Sequence, residues 1–174
     1  MRQVVTARPI TAADVPRFRE VLDEVARERR YLAFEEAPPI ERIAVFVEAN
    51  IATGNTHLVG LVDDMIVGWC DIVRDVSRPT RRHCGTLGIG ILAQYRGLGL
   101  GRLLMQQAMA GAAASGLKRI ELTVRSSNRR AIALYARLGF APEGCQRNAI
   151  MTEDGYEDRD LMAYLVPEQP QQAA

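Results

Sequence analysis

Gly97, Gly99 and Gly101 alternate with other residues between Arg96 and Arg102, inside the stretch TLGIGILAQYRGLGLGRLLM that spans residues 86–105. Lacking side chains, they let the intervening amides turn toward one point, just where the following helix leaves its first amides unpaired. The helix N-terminus adds roughly half a positive charge. Such a turn is an anion cradle, in which amides, dipole and the flanking guanidinium groups of Arg96 and Arg102 together suit a diphosphate. A second group of residues lies downstream. Asn128, Ala131 and Tyr135 are spaced by three and then four positions, so they share one helical face, and small Ala131 lets a ligand lie close between the other two. Glu35, Glu36, His83 and Glu121 are the groups available to accept a proton.

The glycine turn has competing readings, separable by spacing. A nucleoside-triphosphate loop needs Lys followed by Ser or Thr after its last glycine, and here Arg102-Leu103 follows. A dinucleotide turn needs Gly-x-Gly-x-x-Gly near the first strand and an acidic residue closing a strand about twenty positions on. Glu121 has the distance, but it begins a strand, and the turn lies halfway down the chain. The order Arg96-x-x-Gly99-x-Gly101, after an apolar strand and before a helix, resembles the acyl-coenzyme A pyrophosphate loop of the GCN5-related N-acetyltransferases. The run Asn128-x-x-Ala131-x-x-x-Tyr135, ending in Gly139-Phe140, resembles the second signature of the same family.

The resemblance implies a family fold: a mixed, mostly antiparallel sheet of six or seven strands with a central splayed parallel pair, flanked by about four helices. It implies that Arg96, Gly97, Gly99, Gly101 and Arg102 hold the pyrophosphate of acetyl-CoA, with no metal. Main-chain groups of Ile89 and Ile91 would pair with the pantetheine arm, Asn128 would contact that arm, and Tyr135 would point its hydroxyl at the acetyl-bearing sulfur. Arg129, Arg130 and Arg137 are further candidates for the adenosine phosphates, or form a solvated basic face. Arg81-Arg82-His83 and Ile120–Val124 look like the amino-acid branch, whereas Tyr31 to Pro38 looks like the acidic aromatic stretch of spermidine acetyltransferases. Ribosomal-protein alanine acetyltransferases carry a catalytic glutamate where this chain has Thr123, a departure that argues against a ribosomal acceptor. A homodimer is also a family expectation, through the last strands.

Acetyl transfer to an amine needs a neutral nucleophile, a polarised carbonyl and a protonated leaving sulfur. Deprotonating a lysine-like amine of pKa about 10.4 at pH 7 costs roughly 4 to 5 kcal/mol, against about 1 for an α-amine near 8. Tyr135 is the expected acid, with Glu35, His83 and Glu121 as candidate bases. A coenzyme A-binding regulatory domain without turnover, and a nucleotide-dependent oxidoreductase resting on Glu121, stay open as other function classes.

These groups need a scaffold to position them. At 174 residues the chain suits one core, with a single domain over 1–166 and a polar tail over 167–174. Net charge is +1, which gives no global field toward nucleic acid or an anionic membrane, so the expected partner is a small amine. No stretch nears the roughly 18 apolar residues of a membrane span, and Met1-Arg2-Gln3 leads straight toward a strand, which predicts a cytoplasmic protein. Cys70, Cys84 and Cys145 are odd in number and widely spaced, as for reduced thiols.

Along the chain, the pattern predicts a strand over Val4–Arg8, a helix capped by Thr11 and Asp14 that runs to about Arg30, and a helix from Ile40 to Ala52. Thr56–Val62 and Met65–Arg74 form a hairpin across Asp63-Asp64. The strand entering the cradle carries Gly85, Gly88 and Gly90, which predicts a bulge that splays it from its neighbour. The helix after the cradle, the strand Lys118–Val124, the helix carrying Tyr135, a short strand near Ala149–Met151 and a return strand from Tyr156 to Val166 complete the domain.

Overall fold

A computed structural model describes residues 3–168, so the expected polar tail lies, from residue 169, outside the described residues. The chain opens with β1 (Val5–Pro9), α1 (Val15–Arg27) and α2 (Ile40–Ala52). The hairpin β2 (Thr56–Val62) and β3 (Met65–Arg74) leads to β4 (Cys84–Ile91), α3 (Leu100–Ala114) and β5 (Arg119–Arg125). The last elements are α4 (Arg129–Arg137), β6 (Ala141–Thr152) and β7 (Gly155–Leu165). All seven strands join one sheet in the order β1-β2-β3-β4-β5-β7-β6, in which only the central β4–β5 pair is parallel.

Local chemistry explains the element ends. Thr11 and Asp14 close a capping box over a single 3-10 turn, and Arg8 forks onto the Asp14 carboxylate at 2.7 and 2.8 Å. That fork, helped by the Thr11 amide and hydroxyl, holds the Asp14 carboxyl well below the usual carboxylate range. The β2–β3 turn puts both Asp63 (φ 48°) and Asp64 (φ 64°) in the left-handed region, as a two-residue hairpin turn requires. Two expected boundaries move. The first helix stops at Arg27 because Arg29 turns to φ 53°, and the expected short strand near Met151 is a strand of twelve residues, β6, whose partner β7 extends its ladder to Ala141.

Helices cover both faces. On one side Leu100 and Leu104 of α3 lie so close to Gly60 of β2 that a Cβ there would be 2.8 and 2.9 Å from their methyl groups. On the other, Phe18 of α1 packs edge-on against Trp69 and His57, at ring separations of 5.6 and 5.0 Å, with Phe46 of α2 beside His57. β2 and β3 are therefore buried on both faces, which accounts for their nearly unbroken apolar runs.

The central pair opens like a wedge. β4 and β5 are paired only from Cys84↔Arg119 to Thr86↔Glu121. Beyond that, β4 continues against β3 alone and β5 against β7 alone. The expected bulge in β4 is absent: its register with β3 runs unbroken from Gly85↔Arg74 to Ile91↔Gly68. Separation comes from the other strand, because β5 keeps a full-length antiparallel ladder with β7, Arg119↔Leu165 to Arg125↔Arg159, and follows β7 away from β4. The β4 glycines serve a different purpose. A Cβ on Gly90 would stand 2.1 Å from the Trp69 ring, and Trp69 is only 4% exposed, so β4 is flush against the indole. Gly90→Ala is accordingly expected to cost about 3 kcal/mol through overpacking and to lower Tm by about 6–12 °C in a thermal melt.

Candidate active site

At the wedge mouth Gly97 and Gly99 have φ of 90° and 87°, conformations that glycine adopts without strain. Gly99 is the N-cap of α3 and provides no side-chain cap, and the Leu103 amide donates to the Gly99 carbonyl at 3.1 Å. The amides of Leu100, Gly101 and Arg102 precede that bond and have no place in the helical ladder. Gly101 lies close to the cleft wall: a Cβ there would be 3.3 and 3.4 Å from terminal side-chain carbons of Ile91 and Leu134.

Hydrogen-bond parity fixes what β4 offers to the wedge. The Cys84 carbonyl accepts from Asp75 and the Leu92 amide donates to Val67, so even-numbered residues of β4 bond β3. Odd-numbered ones, Ile89 and Ile91 among them, turn their main-chain groups to the edge that β5 has vacated. Arg96 closes the outer end of that edge. Its Nε donates to the Ile91 carbonyl at 2.8 Å, its two terminal nitrogens fork onto Glu28, and the guanidinium lies 4.7 Å over the Tyr31 ring.

A cleft of about 870 Å³ collects Ile89, Ile91, Arg96, Gly97, Gly99, Gly101, Arg102, Asn128, Ala131 and Tyr135, every residue expected to hold the coenzyme. Val25, Tyr31, Gly90, Ala93, Arg130, Leu134, Arg137 and Leu138 complete its lining. Asn128 spends its carboxamide oxygen as the N-cap of α4, accepting from the Ala131 amide at 3.2 Å. Of the arginines in the cleft, Arg102, Arg130 and Arg137 have no ion-pair partner among the described residues. Arg129 stays out of the lining. A larger groove, about 1330 Å³, runs along the outside of α3 to the end of β7, but neither the cradle nor Tyr135 opens onto it.

Tyr135 is 8% exposed and packs against Phe140 at a ring separation of 6.0 Å. Burial, with a smaller contribution from Cys70 nearby, pushes its hydroxyl above the ordinary tyrosine range, so it remains a proton donor. The candidate bases stand elsewhere. Glu35 is exposed and 3.5 Å from Arg29; His83 is exposed, with its Nε2 3.4 Å from the Cys84 sulfur. Glu121 lies at the still-paired end of β5, held by Arg81 and, at 3.1 Å, by Arg119.

The connection between α1 and α2 spans the wedge. Glu28 and Tyr31 engage Arg96 on the β4 side, while the Leu32 carbonyl accepts from Arg125, at the end of β5, at 3.3 Å. Arg29 also ties Glu35 to Glu153 of the β6–β7 turn. Sequence reasoning missed Leu134 and Leu138, although with Ala131 they repeat at helical spacing, and Arg96's carboxylate partner, 68 positions upstream.

It also missed Asp71. This β3 carboxyl is 8% exposed, and burial pushes it up to about 7. A carboxyl raised by folding stabilises the fold fully below its unfolded pKa of 3.8 and loses that contribution as pH climbs toward 7. Asp71→Asn is thus expected to match the wild type in Tm near pH 4 and to exceed it by several degrees at pH 8, as a melt at each pH would read.

A family model described as the Acetyltransferase (GNAT) family matches residues 19–140. The chain belongs to that family. The [ribosomal protein bS18]-alanine N-acetyltransferase of Escherichia coli is 40% identical over 75 residues, 43% of this chain and 51% of that protein. The chain thus spans about half the length of these curated relatives. A GNAT-family acetyltransferase from Streptococcus pneumoniae superposes with a TM-score of 0.87 at 29% identity, covering 94% of this chain and all of that one. A phosphinothricin acetyltransferase from Sinorhizobium meliloti, solved with AcCoA, gives 0.89 at 20% identity over 99% of this chain and 93% of its own, a likeness of fold. The seven-stranded GNAT fold with its central parallel pair is the architecture the sequence led us to expect.

Proposed function

We propose that the protein is an acetyl-CoA-dependent N-acetyltransferase whose acceptor is the α-amine of a free amino acid or a related small metabolite. The observation that carries this reading is a single cleft with an anion cradle and unpaired arginines at one end, a protonated tyrosine at the other, and the free main-chain edge of β4 between them. The residues present fit the coenzyme. Amides at the start of α3, with Arg102, Arg130 and Arg137, answer its phosphates, and the edge of β4 at Ile89 answers the amides of its pantetheine arm. Arg96, committed to Glu28 and Ile91, orders the loop around the cradle instead of supplying a free charge.

Acetyl-CoA supplies the acetyl group as an activated thioester. Tyr135 holds a proton for the departing sulfur, and burial keeps that proton in place across the working pH range. The α1–α2 connection bridges the wedge, with Arg29 tied to both Glu35 and Glu153, which favours a small acceptor. The same pair occupies Glu35, and Arg27 lies 3.6 Å from Glu36, which speaks against a polyamine held by these carboxylates. The Escherichia coli relative favours a second reading, the α-amine of a protein beginning with alanine. Free thiols at Cys70, Cys84 and Cys145 fit a cytoplasmic setting, and the edge strand β6, exposed over most of its length, offers a surface for a homodimer.

Thiol release from acetyl-CoA, measured against free amino acids, spermidine, spermine and alanine-initiated peptides, tests the proposal. Fast release with methionine, phenylalanine or a similar α-amine supports it. Release with peptides alone moves the acceptor to the second reading. Release only with polyamines, or with no acceptor at all, contradicts both.

A further inference from the structure

Tyr135 gives the cleft an acid, but no lining residue can take the proton that the acceptor amine must lose. Asp71 answers that need from the other face of the sheet. On β3, Cys70 pairs with Ile89 of β4 and Asp71 with Gly88, one strand step apart. Neighbouring side chains point to opposite faces. Cys70 lies on the face of Tyr135 and adds to the rise in its pKa, whereas Asp71 shares the α1 and α2 face with Trp69 and His57.

Gly88 lies past Thr86, the last residue of β4 paired with β5, so it borders the wedge. A Cβ on Gly88 would stand 2.8 Å from Asp71 Oδ2; the missing side chain is what lets the carboxyl lie over the strand there. The thioester, held at the Ile89 edge, would therefore have the Tyr135 hydroxyl on one face and the Asp71 carboxyl on the other.

We propose that Asp71 is the general base of the reaction, receiving the proton of the acceptor ammonium group at the Gly88 notch. This rests on the acetyltransferase reading above. One proton passes from the ammonium nitrogen to Asp71, and the freed amine forms the new C–N bond as the C–S bond breaks. The sulfur takes a proton from Tyr135, which is replaced by the second proton that nitrogen loses. Asp71 then returns its own to solvent, so each acetyl transfer releases one proton. On this face Phe18 of α1 packs edge-on against Trp69 and His57, and the Trp69 side chain and a backbone amide hydrogen-bond the Asp71 carboxyl, which offsets part of the rise that burial causes. The titratable neighbours are Cys70, beside it in the chain, and His57, its cross-strand partner on β2. Burial lowers His57 to about 4, so the imidazole is neutral and brings no competing charge. A carboxyl raised to about 7 by burial is matched to accept a proton near neutral pH.

The test compares wild type, Asp71→Asn and Gly88→Ala in thiol release with the best amine of the panel, from pH 6 to 9.5, alongside coenzyme A affinity and Tm. Asp71→Asn should lower kcat/KM by at least 50-fold at pH 7, a deficit that shrinks by about ten-fold for each pH unit as free amine accumulates. Coenzyme A affinity should stay within twofold and Tm should not fall. Gly88→Ala, which keeps the carboxyl but displaces it, should lose at least ten-fold. An Asp71→Asn rate within threefold of wild type, or a deficit equal at every pH, overturns the assignment while leaving the acetyltransferase reading intact. Absence of wild-type turnover with every amine overturns that reading and this one with it.

Discussion

Tyr135→Phe is expected to slow turnover by ten-fold or more while acetyl-CoA affinity stays within twofold. The ring remains, so packing against Phe140 and the lining of the cleft survive, and only the hydroxyl is lost. That hydroxyl is buried and protonated, and Tyr135 lines the same cleft as Ile89 of β4. A thiol of pKa about 8.5 is already a fair leaving group, so the help is moderate, and the deficit should appear in kcat and kcat/KM together, as for an interaction made in the transition state. Steady-state kinetics with a calorimetric titration of the coenzyme separates the two quantities. An unchanged rate would remove Tyr135 from the mechanism.

Gly99→Asp is expected to weaken coenzyme A binding by 100-fold or more without unfolding the protein. At φ 87° an aspartate is tolerated better than most side chains, and a Cβ there meets no atom within 4 Å. It also stands at the N-cap of α3, where its carboxylate can accept from the same first-turn amides that an anion would use. The substitution thus replaces the ligand's charge with one belonging to the chain, and two or three charge-assisted hydrogen bonds, each worth about 1.5–3 kcal/mol, are lost to the coenzyme. Tm without ligand should hold or rise, while the Tm gain on adding coenzyme A should vanish. Retained affinity would place the phosphates elsewhere.

What sequence could show divides along physical lines. The cradle and the Tyr135 face were legible because each is local: alternating glycines before a helix, and a three-plus-four spacing on another, fix geometry within a few residues. The opening of the sheet was legible, but its cause was not. Glycines in β4 suggested a bulge, whereas the ladder to β3 is unbroken and β5 leaves because β7 holds it along its whole length. That pairing joins residues far apart in the chain, and no local pattern reports it.

Arg96 shows the same limit. Its place before the cradle suggested a phosphate ligand, and Glu28, far upstream, turns it into a tie between the cradle loop and the end of α1. Asp71 was hidden for a further reason. Within Trp69-Cys70-Asp71-Ile72 it sits in a strand buried on both faces, where one acidic residue gives no periodic signal, and its meaning depends on Gly88 across the ladder. Glu35, His83 and Glu121 were visible as ionisable groups near suggestive segments, yet exposure or ion pairing engages each of them away from the cleft.

The most direct test of the central claim, that this cleft holds acetyl-CoA through its pyrophosphate, is calorimetric titration of the intact protein with coenzyme A, pantetheine and NAD in parallel. The expected result is one coenzyme A per chain, pantetheine weaker by at least 100-fold because it lacks the phosphates, and no heat from NAD. Equal binding of pantetheine and coenzyme A, or binding of NAD in preference to either, would contradict it.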